Sequence, residues 1–228
     1  MLTLRYVMVL CAFPALFLGS CRSADRIMFK PNPSALSTRL PALEVAVENG
    51  PLNRIEDEAT TDPIQLFQRE AKQNLLESND SSAKFGFVKL QVTEAKLTRA
   101  GKGFHVIQML GMLTPSLLGI PVEYFRTRLR AELQVLDANG EVVGSYVGTG
   151  NSNVRVAMYH GYSQTSAPRL ADTEALRQAL AQIKPQLDSA SARLRTRLIS
   201  TGPMEVAGTA AGYELPPAAA STTQPNEE

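Results

Sequence analysis

The chain has no tryptophan, two histidines and two cysteines, and these shortages exclude much of the usual chemistry. A Ser-His-Asp arrangement would have to draw on His105 or His160. Gly-x-Ser-x-Gly, which places a nucleophile on a strained strand-to-helix turn, is absent around Ser145 and Ser152. The spacings His-x-x-x-His, His-x-His and Asp-x-Asp-x-Asp are missing too, so no metal site is expected. No catalytic residue and no cofactor is assigned. An excess of one charge is also lacking, with 23 basic residues against 22 acidic ones. A uniformly basic surface is thus unsupported, and nucleic acid is not an expected partner.

What is present begins at the N-terminus. Residues 1–20 carry one charge, Arg5, then an apolar stretch over 6–18, then Gly19 and Ser20. That is the order of a secretory signal peptide, too short and wrongly flanked for a stable membrane span. An ordinary cleaved leader would leave Cys21 as a free thiol on an exported protein, where it is a liability. Leu18, Gly19, Ser20 and Cys21 resemble the lipobox of bacterial lipoproteins, in which a leucine and two small residues precede a lipid-modified cysteine. The resemblance implies that Cys21 receives a diacylglycerol thioether, becomes the mature N-terminus and is N-acylated. Two or three acyl chains anchor a protein firmly where one binds only reversibly. Cys11 would leave with the leader and Cys21 would be consumed, so no disulfide or thiolate site would remain. Loss of Arg5 would make the mature chain formally neutral. Arg22, rather than Asp, after the lipidated cysteine implies outer-membrane sorting, facing the periplasm, in bacteria resembling the enteric ones.

The expected organisation is a leader over 1–20, a spacer over 21–40, one domain over 41–200 and a disordered acidic tail over 201–228. The spacer rests on Pro31, Pro33, Ser34, Ser37 and Thr38, the tail on its Pro, Ala, Thr and Ser content. Leu43, Val45 and Val47 alternate as a short strand. Asp62 as N-cap and Pro63 at the first helical position open a helix whose Ile64, Leu66, Phe67, Ala71, Leu75 and Leu76 share a face, ending near 78–80. A long strand over 85–97 changes parity near Glu94, the mark of a bulge. A second strand over 122–136 turns at Asp137, Ala138, Asn139 and Gly140 into a hairpin partner over 141–149. A further strand is expected over 154–159. From Asp172 to about Ser200, Leu176, Leu180, Ile183, Leu187, Ala190, Leu194 and Leu198 recur at three and four, with Pro185 predicting a kink. That stripe suits packing across a sheet better than a coiled-coil seam. The predicted fold is α+β, an antiparallel sheet of four to five strands with two helices on one face. It is similar in outline to small periplasmic domains of outer-membrane assembly lipoproteins, a likeness of fold that licenses no activity.

Gly144, Gly148 and Gly150 superficially suggest a phosphate cradle, but no helix N-terminus follows them and no P-loop lysine is near; strand bending accounts for them better. Two other features are candidate contact surfaces. The stretch 103–122 has no Asp, Glu, Lys or Arg, and its Ile107, Met109, Leu110, Met112, Leu113, Leu117, Leu118 and Ile120 form either a buried crossover or a loop that docks on membrane or partner. Its closing Leu118-Gly119-Ile120-Pro121, followed by a strand and an Asp-x-x-Gly hairpin, resembles uncharacterised bacterial lipoproteins. Tyr124, Arg126, Arg128 and Arg130 stand at strand spacing away from the apolar face. Such a row suits anionic sugars, phosphates or an acidic partner, and is equally the ordinary solvated side of a sheet. The reading is a lipid-anchored, non-enzymatic envelope accessory that meets an envelope protein or an anionic lipid, or alternatively a periplasmic binder or carrier of a lipid or glycolipid.

Overall fold

The computed structural model describes residues 28–30, 32–52, 61–77, 83–101, 123–156 and 162–204. In chain order these form β1 (Glu44–Glu48), a 3-10 turn (Gly50–Leu52), α1 (Asp62–Glu70, continued by a π-helical turn Ala71–Leu75), β2 (Gly86–Ala100), β3 (Glu123–Asp137), β4 (Val142–Val156) and α2 (Ser166–Thr201). The four strands lie in the order β1-β2-β3-β4. Both helices pack on one face of this α+β sheet, and Leu66, Phe67, Val88, Leu90, Leu133, Leu176 and Leu187 meet in its core.

The sheet is mixed rather than purely antiparallel. β1 pairs parallel with β2, while β2, β3 and β4 are antiparallel neighbours. A strand that returns through a helical crossover re-enters in its original direction, whereas the tight turn between β3 and β4 reverses it. That turn uses the expected residues. The Asp137 carboxylate accepts the N–H groups of Asn139 and Glu141, and Gly140 has φ +81°. The strand expected over 154–159 is not separate: Val154 and Val156 end β4, whose Asn151, Ser152 and Asn153 continue the ladder. The parity change in β2 is a register shift between Val92 and Glu94.

α1 begins as predicted with Pro63 in its first turn, but it gives way at Leu76, before 78–80. Asp62 makes no cap; it is buried and takes both Nε and the terminal nitrogen of Arg169 at 2.7 and 2.8 Å. α2 starts at Ser166 rather than Asp172 and runs through Pro185. The Asp172 carboxylate instead accepts the Thr127 hydroxyl at 2.7 Å, joining helix to sheet. The apolar stripe of α2 lies across the sheet, as expected, with Leu176, Ile183, Leu187, Leu194 and Leu198 at most 1% exposed.

Small residues bring α2 against β4. A Cβ on Gly148 would stand 2.2 Å from the Ala179 carbonyl oxygen, so the helix backbone rests on the strand backbone. α2 also covers the edge of β4: Gln178 and Gln182 accept the N–H groups of Asn151 and Thr149, and Gln186 donates to the Val147 carbonyl. An edge strand otherwise presents such groups to other chains.

The segment expected to be a spacer is built into the domain from Met28 onward. Met28, Leu36 and Leu40 are buried, Leu36 N–H donates to the Asn74 carbonyl, and Ser37 binds the Asp188 carboxylate through N–H and hydroxyl. Its prolines and serines read as linker, but the intervening Met28, Leu36 and Leu40 each find a pocket. At the other end, Met204 N–H donates to the Lys84 carbonyl; the rest of the expected tail lies outside the described residues.

Candidate functional site

The faces of β3 separate by alternation. Phe125, Thr127, Leu129, Ala131, Leu133 and Val135 point to the helices, and Arg126, Arg128 and Arg130 stand exposed on the opposite face. Antiparallel register sets β2 and β4 residues beside them. Lys96, Arg128 and Asn151 form one cross-strand row, and Thr98, Arg126 and Asn153 the next. Glu94, Arg130 and Thr149 lie on one side of these two rows, and Ala100, Tyr124 and Arg155 on the other. Columns in such a grid are about 4.8 Å apart and rows about 7 Å apart.

The sequence reading named Tyr124, Arg126, Arg128 and Arg130. In the structure Arg126 and Arg128 are central, Tyr124 is half-buried at one border, and Arg130 belongs to a compensated border. Arg130 lies opposite Glu94, and its charge also helps hold the Glu132 carboxyl below its ordinary value, after the larger contributions of hydrogen bonds from Gln134 and Ser145. Three members were missed: Lys96, Asn151 and Asn153. Lys96 and Thr98 do stand at strand spacing in the sequence, but only the pairing register aligns them with the arginines.

A cleft of about 450 Å³ lies over Lys96, Thr98, Arg126, Arg128, Asn151 and Asn153. It adjoins a second of about 830 Å³, which shares Lys96, Arg128 and Asn151 and extends past Arg130 to Gln178 and Gln182. Among the described residues the side chains of Lys96, Arg126 and Arg128 meet no carboxylate within ion-pair distance. Among the described residues several other bases do meet an acid: Lys89 meets Glu48, Arg99 Glu123, Arg169 Asp62, Lys184 Glu70 and Arg195 Glu77.

Met28 sits with Phe125, Val154, Val156, Ala167, Leu170 and Ala171 in a second apolar cluster. This cluster lies at the start of β3 and the end of β4, the end of the sheet toward which the Arg128-to-Tyr124 row runs. Ala100 and Tyr124 pair at the same end, where β2 finishes and β3 begins.

Cys21, His105 and His160, and the apolar residues Ile107, Met109, Leu110, Met112, Leu113, Leu117, Leu118 and Ile120, lie outside the described residues. Among the described residues no group of three or more His, Cys, Asp or Glu is placed to hold a metal ion, and no helix is long and apolar enough to cross a membrane.

No protein-family model and no curated protein matches the chain. Among solved structures it is similar to the crystal structure of protein XCC0632 from Xanthomonas campestris, of family model DUF330, at 14% identity over 70% of this chain and 94% of that one, with a TM-score of 0.29.

Proposed function

We propose that this protein is a lipid-anchored accessory of the cell envelope, without catalytic activity, that engages another envelope component through the outward face of its sheet. The observation that carries the reading is the central cationic group, Lys96, Arg126 and Arg128, three neighbours on one face that meet no carboxylate among the described residues, whereas Lys89 on the same face is paired with Glu48. Exposed charges of one sign steer and select an oppositely charged partner.

The place of the N-terminal segment supports the membrane part of the reading. Cys21 precedes the buried Met28 by seven residues, and seven extended residues reach at most about 25 Å. A lipid on Cys21 would therefore keep the Met28 end of the sheet close to the bilayer surface, with the domain held by a short tether. The outer-membrane, periplasm-facing address follows from Arg22 after the lipidated cysteine. A second reading, a periplasmic binder or carrier of an anionic lipid or glycolipid, is favoured by the cleft over the same cations, whose volume is within the range of small-ligand sites.

Two measurements test the proposal. Metabolic labelling with a radioactive fatty acid should tag the wild-type chain and not Cys21→Ser, and the variant should move from the membrane to the soluble fraction; an unlabelled wild type removes the anchor. Crosslinking in intact membranes should capture a stoichiometric envelope component with wild type and lose it with the Arg126→Glu/Arg128→Glu double variant. Recovery of no component, or equal recovery with both, sinks the accessory reading.

A further inference from the structure

We infer that Lys96, Arg126 and Arg128, flanked by Asn151 and Asn153, form a binding site for a phosphate-class oxyanion carried on a larger ligand. The inference deepens the proposed function, and rests on it only in taking the outward face as the contact face.

The first argument is electrostatic. Lys96 and Arg128 are direct cross-strand partners, and Arg126 stands one row away on the same strand as Arg128. Like charges placed directly opposite one another on a sheet are destabilising. The sheet had other solutions, and uses them elsewhere: on the same face Lys89 meets Glu48 at 2.6 Å. Three adjacent cations without such an acid are a cost that a bound dianion turns into a gain.

The second argument is the donor set. Two guanidinium groups supply planar forks that match the oxygens of a phosphate, and a lysine adds a mobile point charge. Asn151 and Asn153 contribute carboxamide donors from the neighbouring strand, at Cβ separations of about 5 Å from their partners Arg128 and Arg126. Donors thus reach one volume from three strands. A lone carboxylate, with two oxygens and one charge, leaves most of these unsatisfied, whereas a phosphate monoester, with three terminal oxygens and close to two charges at neutral pH, answers more of them.

The third argument is shape. The cleft of about 450 Å³ over these residues has the room of roughly fifteen water molecules, more than the anion alone occupies. The adjoining cleft past Arg130 gives the carrying group a path along the sheet toward Gln178 and Gln182. Glu94, opposite Arg130, closes the cationic group on that side and discourages an anion from sliding further.

The test uses the full chain in a neutral detergent, titrated in separate arms with inorganic phosphate, with short-chain phosphatidic acid and with a poly-glutamate peptide, read by calorimetry and by backbone amide shifts. Phosphate, phosphatidic acid or both should bind and shift the amides of Arg126, Arg128 and Asn151, and added salt should weaken the binding. Equal affinity for both probes assigns recognition to the phosphate itself; a preference for the lipid assigns part of it to the carrier. Lys96→Gln and Arg128→Gln should each weaken binding about tenfold, and Arg128→Lys should recover part of the loss. Because these side chains are exposed and the substitutions relieve like-charge repulsion, the variants should unfold at or slightly above the wild-type temperature, which separates lost binding from lost folding. No binding of either phosphate probe, binding undiminished in the Gln variants, or binding of poly-glutamate alone overturns the site. That failure would leave membrane anchoring and crosslinked recovery untouched, so it is distinguishable from failure of the accessory reading.

Discussion

A Cβ on Gly150 would stand 1.7 Å from the carbonyl oxygen of Ala175 in α2. Backbone meets backbone at this point, and neither side has a flexible side chain to yield. Gly150→Ala should therefore force strand and helix apart, at a cost of about 3 kcal/mol or more. Urea unfolding measures it. A loss below about 1 kcal/mol would mean that α2 does not lie on β4 as described.

Glu70 and Lys184 form a buried pair at 3.3 Å, and Glu70 also accepts the Asn32 N–H and the Asn74 carboxamide. Glu70→Leu should destabilise by about 3–5 kcal/mol, because it leaves a cation buried without its partner. Glu70→Leu combined with Lys184→Met should return most of that loss. A double-mutant cycle from denaturant curves reads the coupling; additive losses would contradict it.

Gln182 accepts both the N–H and the hydroxyl of Thr149. Gln182→Ala should cost about 1 kcal/mol and speed hydrogen exchange at Thr149 while Asn151 stays protected by Gln178. Replacing Gln178, Gln182 and Gln186 together by Ala should open the β4 edge and drive self-association. Light scattering that stays monomeric across concentration would argue against the edge-capping role.

Ser37 donates through N–H and hydroxyl to Asp188, and these two bonds hold the Asp188 carboxyl below its ordinary value. The sign follows from linkage: a depressed folded value means stability present at neutral pH and lost as pH falls through it. Asp188→Asn should therefore be less stable than wild type above about pH 4, the ordinary carboxylate value, with the gap narrowing below. Glu132, lowered by Gln134 and Ser145, acts in the same direction. Thermal unfolding of both chains between neutral and acid pH checks this; a gap independent of pH would refute it.

Short-range pattern carried much of the fold. The alternation of Phe125, Leu129, Leu133 and Val135 with Arg126, Arg128 and Arg130 assigned both faces of β3, and Asn139 with Gly140 placed the hairpin turn. The parity break near Glu94 anticipated the bulge. These features depend on residues a few positions apart, and dihedral preference and side-chain period act at that range. The glycines at 144, 148 and 150 were a different matter. Bending was the local reading, whereas the requirement at Gly148 and Gly150 comes from Ala175 and Ala179, some thirty residues onward.

From its sequence by itself this protein has an N-terminal lipobox-like motif, an ordered succession of strands and helices, and a row of arginines on one face of one strand. Only the tertiary structure decided that β1 joins the sheet in parallel, that Met28, Leu36 and Leu40 belong to the core rather than to a tether, and that Lys96, Asn151 and Asn153 stand beside Arg126 and Arg128. The reason is physical. Periodicity records which way a side chain points, but its neighbours are set by strand register and helix packing, which sum contacts between residues far apart in the chain.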